Sequence, residues 1–391
     1  MAAEVTRLAP DDLPGYKRLM AESEAIYKVG FEQLAHIPFS TPMDMARAIP
    51  DMARLRADRS LYSLVAKRVK DWRLRIALSF HPLFIGGNPF TVTSIYALVI
   101  HLERKYGVHY AFGGTGQLVK GLVGLLEGQG ARLRLNAEVA EILIENGSAT
   151  GVRLTTGEHI RAEIVVSNAC AGYTEQVLIP PHIRRSWLAK NRTKGRYSMS
   201  VFVWYFGTKR RYEDVLHHTI LLGPRYKDLL DDIFANKVLA EDFSLYLHRP
   251  SASDPSVAPE GCDAFYVLSP VPNLTSGTDW AEEGEHYRQR IEAALEATLL
   301  PGLSGEIVTS RIITPDYFKD ELLSLHGAAF GIEPILTQSA WFRPHNRVEG
   351  VENLFLVGAG THPGAGLPGV LSSARVLDLV VPHASAFASS L

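Results

Sequence analysis

Residues 354–370 read LFLVGAGTHPGAGLPGV. A short apolar strand runs into a loop holding Gly358, Gly360, Gly364, Gly366 and Gly369, with Pro363 and Pro368 among them. That much backbone freedom belongs where main chain approaches a ligand closely. Counted from Gly358 the spacing is not G-x-G-x-x-G, because Pro363 stands where the third glycine falls. Beyond Pro368, the apolar pattern of GVLSSARVLDLVV predicts a closing helix. Strand, glycine loop and helix start form an anion-binding design, since free N–H groups and the positive dipole end favour a phosphate or a flavin carbonyl. Composition alone leaves a second reading open, in which a glycine-rich connection packs a terminal helix tightly on a sheet.

The rest of the chain bounds the answer. Its 391 residues suit two or three domains. Hydrophobic residues make up 46% and charged residues 21%, enough for a large core. A net charge of −2 gives no global electrostatic case for nucleic acid. Cys170 and Cys262 stand far apart, so neither a disulfide framework nor a cysteine-based metal site follows, and no metal is expected. No apolar run reaches 18 residues and the N-terminus lacks an apolar signal region, so a soluble or at most peripheral intracellular protein is expected.

Along the chain, residues 1–106 have helical spacing, including a basic amphipathic stretch at 61–77. From Gly107 the character changes to short β-branched segments: VHYAF (108–112), ARLRLN (131–136), EVAEILIENG, TGVRLTTG and HIRAEIVVSNA, with one helix, GQLVKGLVGLLEGQG, among them. Asn-Gly and Thr-Gly turns mark a hairpin-like series. From about residue 195 strands are predicted at SMSVFVWYFG and DAFYVLSP, and an amphipathic helix at DWAEEGEHYRQRIEAALEATLL.

Several long stretches, in order, resemble the bacterial phytoene desaturases, a branch of the FAD-dependent amine-oxidase-like superfamily. They include GGTGQLVKGL, LNAEVAEI, HHTILLGPRYKDLLDDIF, VAPEGCDAFYVLSPVPNL, EPILTQSAWFRPHNR and the opening loop. The resemblance implies an α/β fold: an FAD-binding two- or three-layer domain of the amine-oxidase type, with an interleaved mixed α+β substrate domain and a helical membrane-facing segment. Its expected divisions are 1–106, helical and membrane-facing; 107–190, the middle FAD segment; 191–344, the substrate domain; and 345–391, the C-terminal FAD segment. The implied activity is desaturation of phytoene toward lycopene. The implied partners are phytoene and its intermediates, a membrane surface, and an electron acceptor such as quinone or oxygen. The implied location is the bacterial cytoplasm, on the cytoplasmic membrane. A neurosporene, C30 or hydroxylated carotenoid substrate, an inactive remnant and a flavin-free prenyl-lipid binder are the alternatives. Family members open with a βαβ unit carrying G-x-G-x-x-G and an acidic ribose ligand. Residue 1 aligns on the order of a hundred residues into the family pattern, beyond the ~30 of such a unit, so an N-terminally truncated, incomplete FAD domain is expected.

By the same resemblance the backbone at Val139 lies against adenine and Asn168 turns a strand end beside the cofactor. Gly358, Gly360 and Thr361 contact the pyrophosphate and ribityl chain, and Gly369 and Val370 open the helix aimed at the isoalloxazine. His362 is a positioning residue of the loop before it is a base. Asp44 and Arg47, three apart in PMDMARAIP, share a helix face. In an apolar tunnel they are the candidate catalytic pair, a carboxylate tuned by a fixed cation; on a solvated face they are a local ion pair. Glu333 and His345 are weaker candidates. The apolar stripe of 61–77 packs in the core or docks on an anionic bilayer.

Overall fold

A computed structural model describes residues 1–183 and 195–386. The N-terminal part is helical: α1 (Ala2–Leu8), α2 (Leu13–Tyr27), α3 (Pro42–Arg54), α4 (Leu61–Arg68), α5 (Trp72–Ala77) and α6 (Leu98–Tyr106). Tyr16, Leu19 and Ile26 of α2 bury against Leu61 and Val65 of α4 and Ile100 of α6. α2 and α4 approach backbone to backbone. A Cβ on Gly15 would fall 1.8 Å from the Arg68 carbonyl oxygen, so no larger residue fits there.

The stretch 61–77 is not one helix. Val69 is extended, at φ −123° and ψ 135°. The Asp12 carboxylate takes the N–H groups of Lys70 and Asp71 at 2.8 and 2.7 Å, and Asp71 then caps α5. A buried acceptor 58 residues upstream in sequence competes with the helical hydrogen bonds and wins. The apolar residues Leu61, Leu64, Val65, Val69, Leu74 and Ile76 belong to the core, whereas Trp72 is 65% exposed.

The β-rich middle holds three sheets. β1 (Val139–Glu145), β2 (Ser148–Leu154) and β3 (His159–Arg161) form an antiparallel meander. β4 (Val165–Ser167) pairs in parallel with β10 (Leu354–Leu356). VHYAF and ARLRLN, expected as strands, form none: they run without a ladder partner, leaving Val108, Phe112, Leu133 and Leu135 exposed. A parallel strand exists only by pairing, and among the described residues none lies beside them. The helix between them, α7 (Thr115–Gly128), has no buried residue.

After the single turn α8 (Ala171–Tyr173), an antiparallel sheet of order β6-β7-β8-β5-β9 forms the largest β unit. It comprises β5 (Ser200–Thr208), β6 (His218–Leu221), β7 (Leu245–His248), β8 (Asp263–Val271) and β9 (Ile307–Ile313). Alternation along β5 sends Phe202, Trp204 and Phe206 against α10 (Trp280–Thr298). Val201 and Val203 face the other way, onto α9 (Tyr226–Asp231) and the helical part through Ile76 and Leu83. Helices α11 (Pro315–Asp320) and α12 (Leu367–Val380) complete the set. The architecture is mixed α/β. Residues 107–190 and 345–391 meet through the β4–β10 pair, and the division placed at 190/191 lies outside the described residues.

Candidate active site

The glycine loop leaves β10 beside the end of β4, and its glycines are there for contact. Gly358 has φ +97°, and a Cβ on it would lie 2.2 Å from Asn168 Oδ1. A Cβ on Gly360 would lie 2.9 Å from that of Ala171, and one on Gly369 would lie 2.7 Å from the Gly364 carbonyl oxygen. Asn168 and Gly358 are therefore brought together, with Gly360 against the next residues of the same segment at Ala171. Val139 opens β1, the edge strand of its sheet, and packs on the cluster of Ala171, Leu354 and Leu356. Thr361 is turned inward instead. It is fully buried, and its hydroxyl donates to the Gly358 carbonyl at 3.1 Å, so it shapes the loop from behind.

Three residues not singled out from the sequence hold the same loop. Ser373 Oγ accepts the Gly358 N–H at 2.8 Å, and Asn346 Nδ2 donates to the Leu356 carbonyl at 3.1 Å. Arg343 is 1% exposed and donates to the Ala359 and Ile332 carbonyls at 3.0 and 3.2 Å. Burial pulls its pKa below the ordinary guanidinium range. The sequence signal was available, since Arg343 and Asn346 both fall in WFRPHNR. Gly364, Gly366 and Gly369 also stand at G-x-G-x-x-G spacing, a register that counting from Gly358 passes over.

Next to the loop lies a cavity of about 690 Å³. Its walls are Leu34 and Phe39, the α3 residues Ala48 and Met52, Leu55 just beyond that helix, and the α6 residues Leu98 and Leu102. His362, Gly366 and Gly369 close one end, where α12 begins with Gly366 as an N-cap that offers no side chain. The free N–H groups at that helix start are thus left for a ligand. His362 Nε2 donates to the Leu34 carbonyl at 2.7 Å and its ring meets Phe39 edge-on. Burial outweighs that hydrogen bond and pushes its pKa down to about 4. His362 is a neutral strut between the loop and the helical wall.

Asp44 sits in the first turn of α3 and Arg47 in the second, three residues on. Thr41 and Asp44 form a reciprocal capping box, with the Thr41 N–H donating to Asp44 Oδ2 at 2.8 Å. The Arg47 guanidinium is 3.5 Å from the carboxylate and 76% exposed. Burial raises the Asp44 pKa, but the Thr41 hydrogen bonds and the Arg47 charge outweigh it and hold the group below the ordinary carboxylate value. Asp44 is absent from the cavity wall, although Ala48, one turn further along the same face, lines it. Val370, at the start of α12, is half-buried behind Gly369. Glu333 is buried against Arg196, 2.9 Å away, and His345 lines a separate polar cleft.

The chain matches the family of flavin containing amine oxidoreductases over residues 2–376 and belongs to it. The family's cofactor is FAD, and the residues fit it: a strand-end glycine loop free of Cβ atoms, an uncapped helix start and an adjoining apolar cavity. Within that family the chain is one of the bacterial phytoene desaturases. It is 52% identical to the phytoene desaturase (neurosporene-forming) of Cereibacter sphaeroides, over 98% of this chain and 75% of that protein. It is 48% identical to the phytoene desaturase (lycopene-forming) of Paracoccus sp., over 97% and 76%. Among solved structures, putrescine oxidase aligns with a TM-score of 0.62 at 12% identity, over 95% of this chain and 76% of that one. An oxidoreductase from Methanosarcina mazei gives 0.59 at 18% identity, over 87% and 72%. These two share the fold.

Proposed function

We propose that the protein desaturates phytoene, with lycopene as the end product. The observation that carries this reading is the apolar cavity that ends on the flavin loop, because an unsubstituted polyene offers nothing but apolar surface to recognise. When bound, FAD would supply the two-electron oxidant that takes a hydride from one substrate carbon, and loss of a proton from the adjacent carbon completes the double bond. Gly358, Gly360 and the α12 start would hold it, with Asn168 and the edge of β1 at Val139 beside them. The chain's own part is alignment and exclusion of water. Leu34, Phe39, Met52 and Leu102 keep the polyene dry, and His362 fixes the distance between loop and wall. Asp44, one turn before the cavity-lining Ala48, is assigned the polar role in the reaction with Arg47 as its tuning cation. A carboxylate held below its ordinary pKa is a weak base, so its suited task is stabilising positive charge that develops on the polyene.

The substrate is water-insoluble, so the protein is assigned a peripheral site on the bacterial cytoplasmic membrane. Among the described residues no helix is long and apolar enough to cross one. Exposed Trp72 between Lys70 and Arg73 is the docking patch, an aromatic ring flanked by cations at headgroup depth. A quinone or oxygen is assigned as the final electron acceptor. Expression in cells that accumulate phytoene tests the activity: lycopene supports the full reading, neurosporene supports desaturation with earlier release, and unchanged phytoene refutes both.

A further inference from the structure

Away from the cavity, three histidines converge where β6 meets β7. His218 and His248 are register partners across the two strands, and His217 immediately precedes β6. One nitrogen of each lies within 4.8 Å of one from each of the others. His217 Nε2 and His248 Nε2 face each other at 2.9 Å. We propose that these three imidazoles form a binding site for one divalent transition-metal ion, zinc by donor set, with a fourth position open to water.

Two of the three rings have the outer partners a histidine–metal site uses, while His248 Nδ1 is buried without one. Zinc bonds imidazole nitrogen at 2.0–2.1 Å, which sets neighbouring ligands about 3.3 Å apart in a tetrahedron. The observed spacing reaches that geometry with side-chain shifts on the order of 1 Å. Ligating histidines fix their orientation by donating the other ring N–H to an oxygen. His217 Nδ1 lies 2.7 Å from Ser253 Oγ, and His218 Nδ1 lies 2.7 Å from the Tyr246 hydroxyl. Both rings thereby turn Nε2 toward the ion. The packing is tight on the remaining sides: Tyr110 meets His217 edge-on, and Tyr266 covers His248, which is 8% exposed. Without an ion, two ring nitrogens must share one proton between them; with it, both lone pairs are used. Three imidazoles with no thiolate select zinc over softer-ligand metals, with copper and nickel as competitors.

The site clasps the edge strand β6 to β7. Through Tyr246, whose ring meets the cavity-lining Phe84 at 5.5 Å, it also braces one cavity wall. The test uses the full chain without a polyhistidine tag, stripped with a chelator in mild detergent and titrated with Co²⁺ and then Zn²⁺. One equivalent of Co²⁺ should give the visible absorption of a low-coordinate site, bleached by one equivalent of Zn²⁺. His218→Asn, at an exposed position, should weaken binding at least tenfold and leave the melting temperature of the metal-free chain unchanged. Tyr246→Phe should weaken it by about 10- to 100-fold. Substoichiometric uptake, or uptake that His218→Asn and His217→Gln leave unchanged, overturns the proposal.

Discussion

Helix α7 carries Leu118, Val119, Leu122, Leu125 and Leu126 at exposures between 43% and 60%, and not one residue of it is buried. Fully burying such a side chain is worth roughly 1.5–3 kcal/mol, so covering the exposed half of all five is worth about 4–7 kcal/mol. That free energy is available to whatever covers the face, another copy of the chain included. In detergent-free buffer the 391-residue protein is therefore expected to self-associate. The perturbation is Leu118→Gln, Leu122→Gln and Leu125→Gln together, which lie on one face at i, i+4 and i+7. Glutamine matches leucine closely in helix propensity, and no cavity opens because nothing there is buried. Removing three of the five forfeits about 2–4 kcal/mol, a roughly 30- to 1000-fold weaker association. Sedimentation velocity at several concentrations reads it, with thermal stability unchanged within about 0.5 kcal/mol. A monodisperse parent protein without detergent, or association the triple variant does not weaken, refutes the reasoning.

Four further outcomes follow from the site. Asp44→Asn should cut carotenoid formation by about 10²- to 10⁴-fold if its charge acts on the polyene, while Arg47→Gln, at an exposed cation, should stay within threefold; Asp44→Asn within threefold as well would reduce the pair to a helix cap. Because His362 holds a folded pKa near 4 against an ordinary 6.5, its contribution to stability is complete above pH 6.5 and is lost as pH falls toward 4, by about 3 kcal/mol at most. Thermal melts from pH 4 to 7 should flatten in His362→Gln, and parallel curves would contradict the neutral strut. Gly369→Val places a Cβ 2.7 Å from the Gly364 carbonyl oxygen and should lower flavin affinity at least tenfold in a fluorescence titration, an effect absent if the helix start is not the cofactor end. Changing Lys70, Trp72 and Arg73 to Gln, Ser and Gln should release the protein from anionic liposomes in flotation, since each cation near the surface contributes about 1 kcal/mol; equal flotation would move the docking face elsewhere.

Where a segment's structure follows from its own residues, the sequence was sufficient. The strand before the glycine loop, the closing helix, β8 with its strict in–out alternation and α10 all appear where periodicity places them. Distant partners defeated the rest. The break at Val69 depends on Asp12, invisible in a local window. VHYAF and ARLRLN have the composition of buried parallel strands, but a strand is a property of two segments, and among the described residues no second segment pairs with them. At the site, the close packing of the loop was legible because glycines mark close approach, whereas Asn168 came only from the family resemblance. The inward turn of Thr361 and the grip of Arg343 were not, since each depends on what stands behind the loop.

The hydrogen bond from His362 to the Leu34 carbonyl joins residues 328 positions apart. At synthesis rates of 5–20 residues per second, the first wall of the cavity waits about 15–65 s for the loop that closes it. During that interval Leu34, Phe39 and Met52 have no C-terminal counterpart and form an apolar trough open to the surroundings. Loop closure over so long a span is also entropically the slowest kind of contact to form. The nascent chain thus passes through a period in which one wall of its own apolar cavity stands uncovered, a surface that invites aggregation until the C-terminal loop arrives.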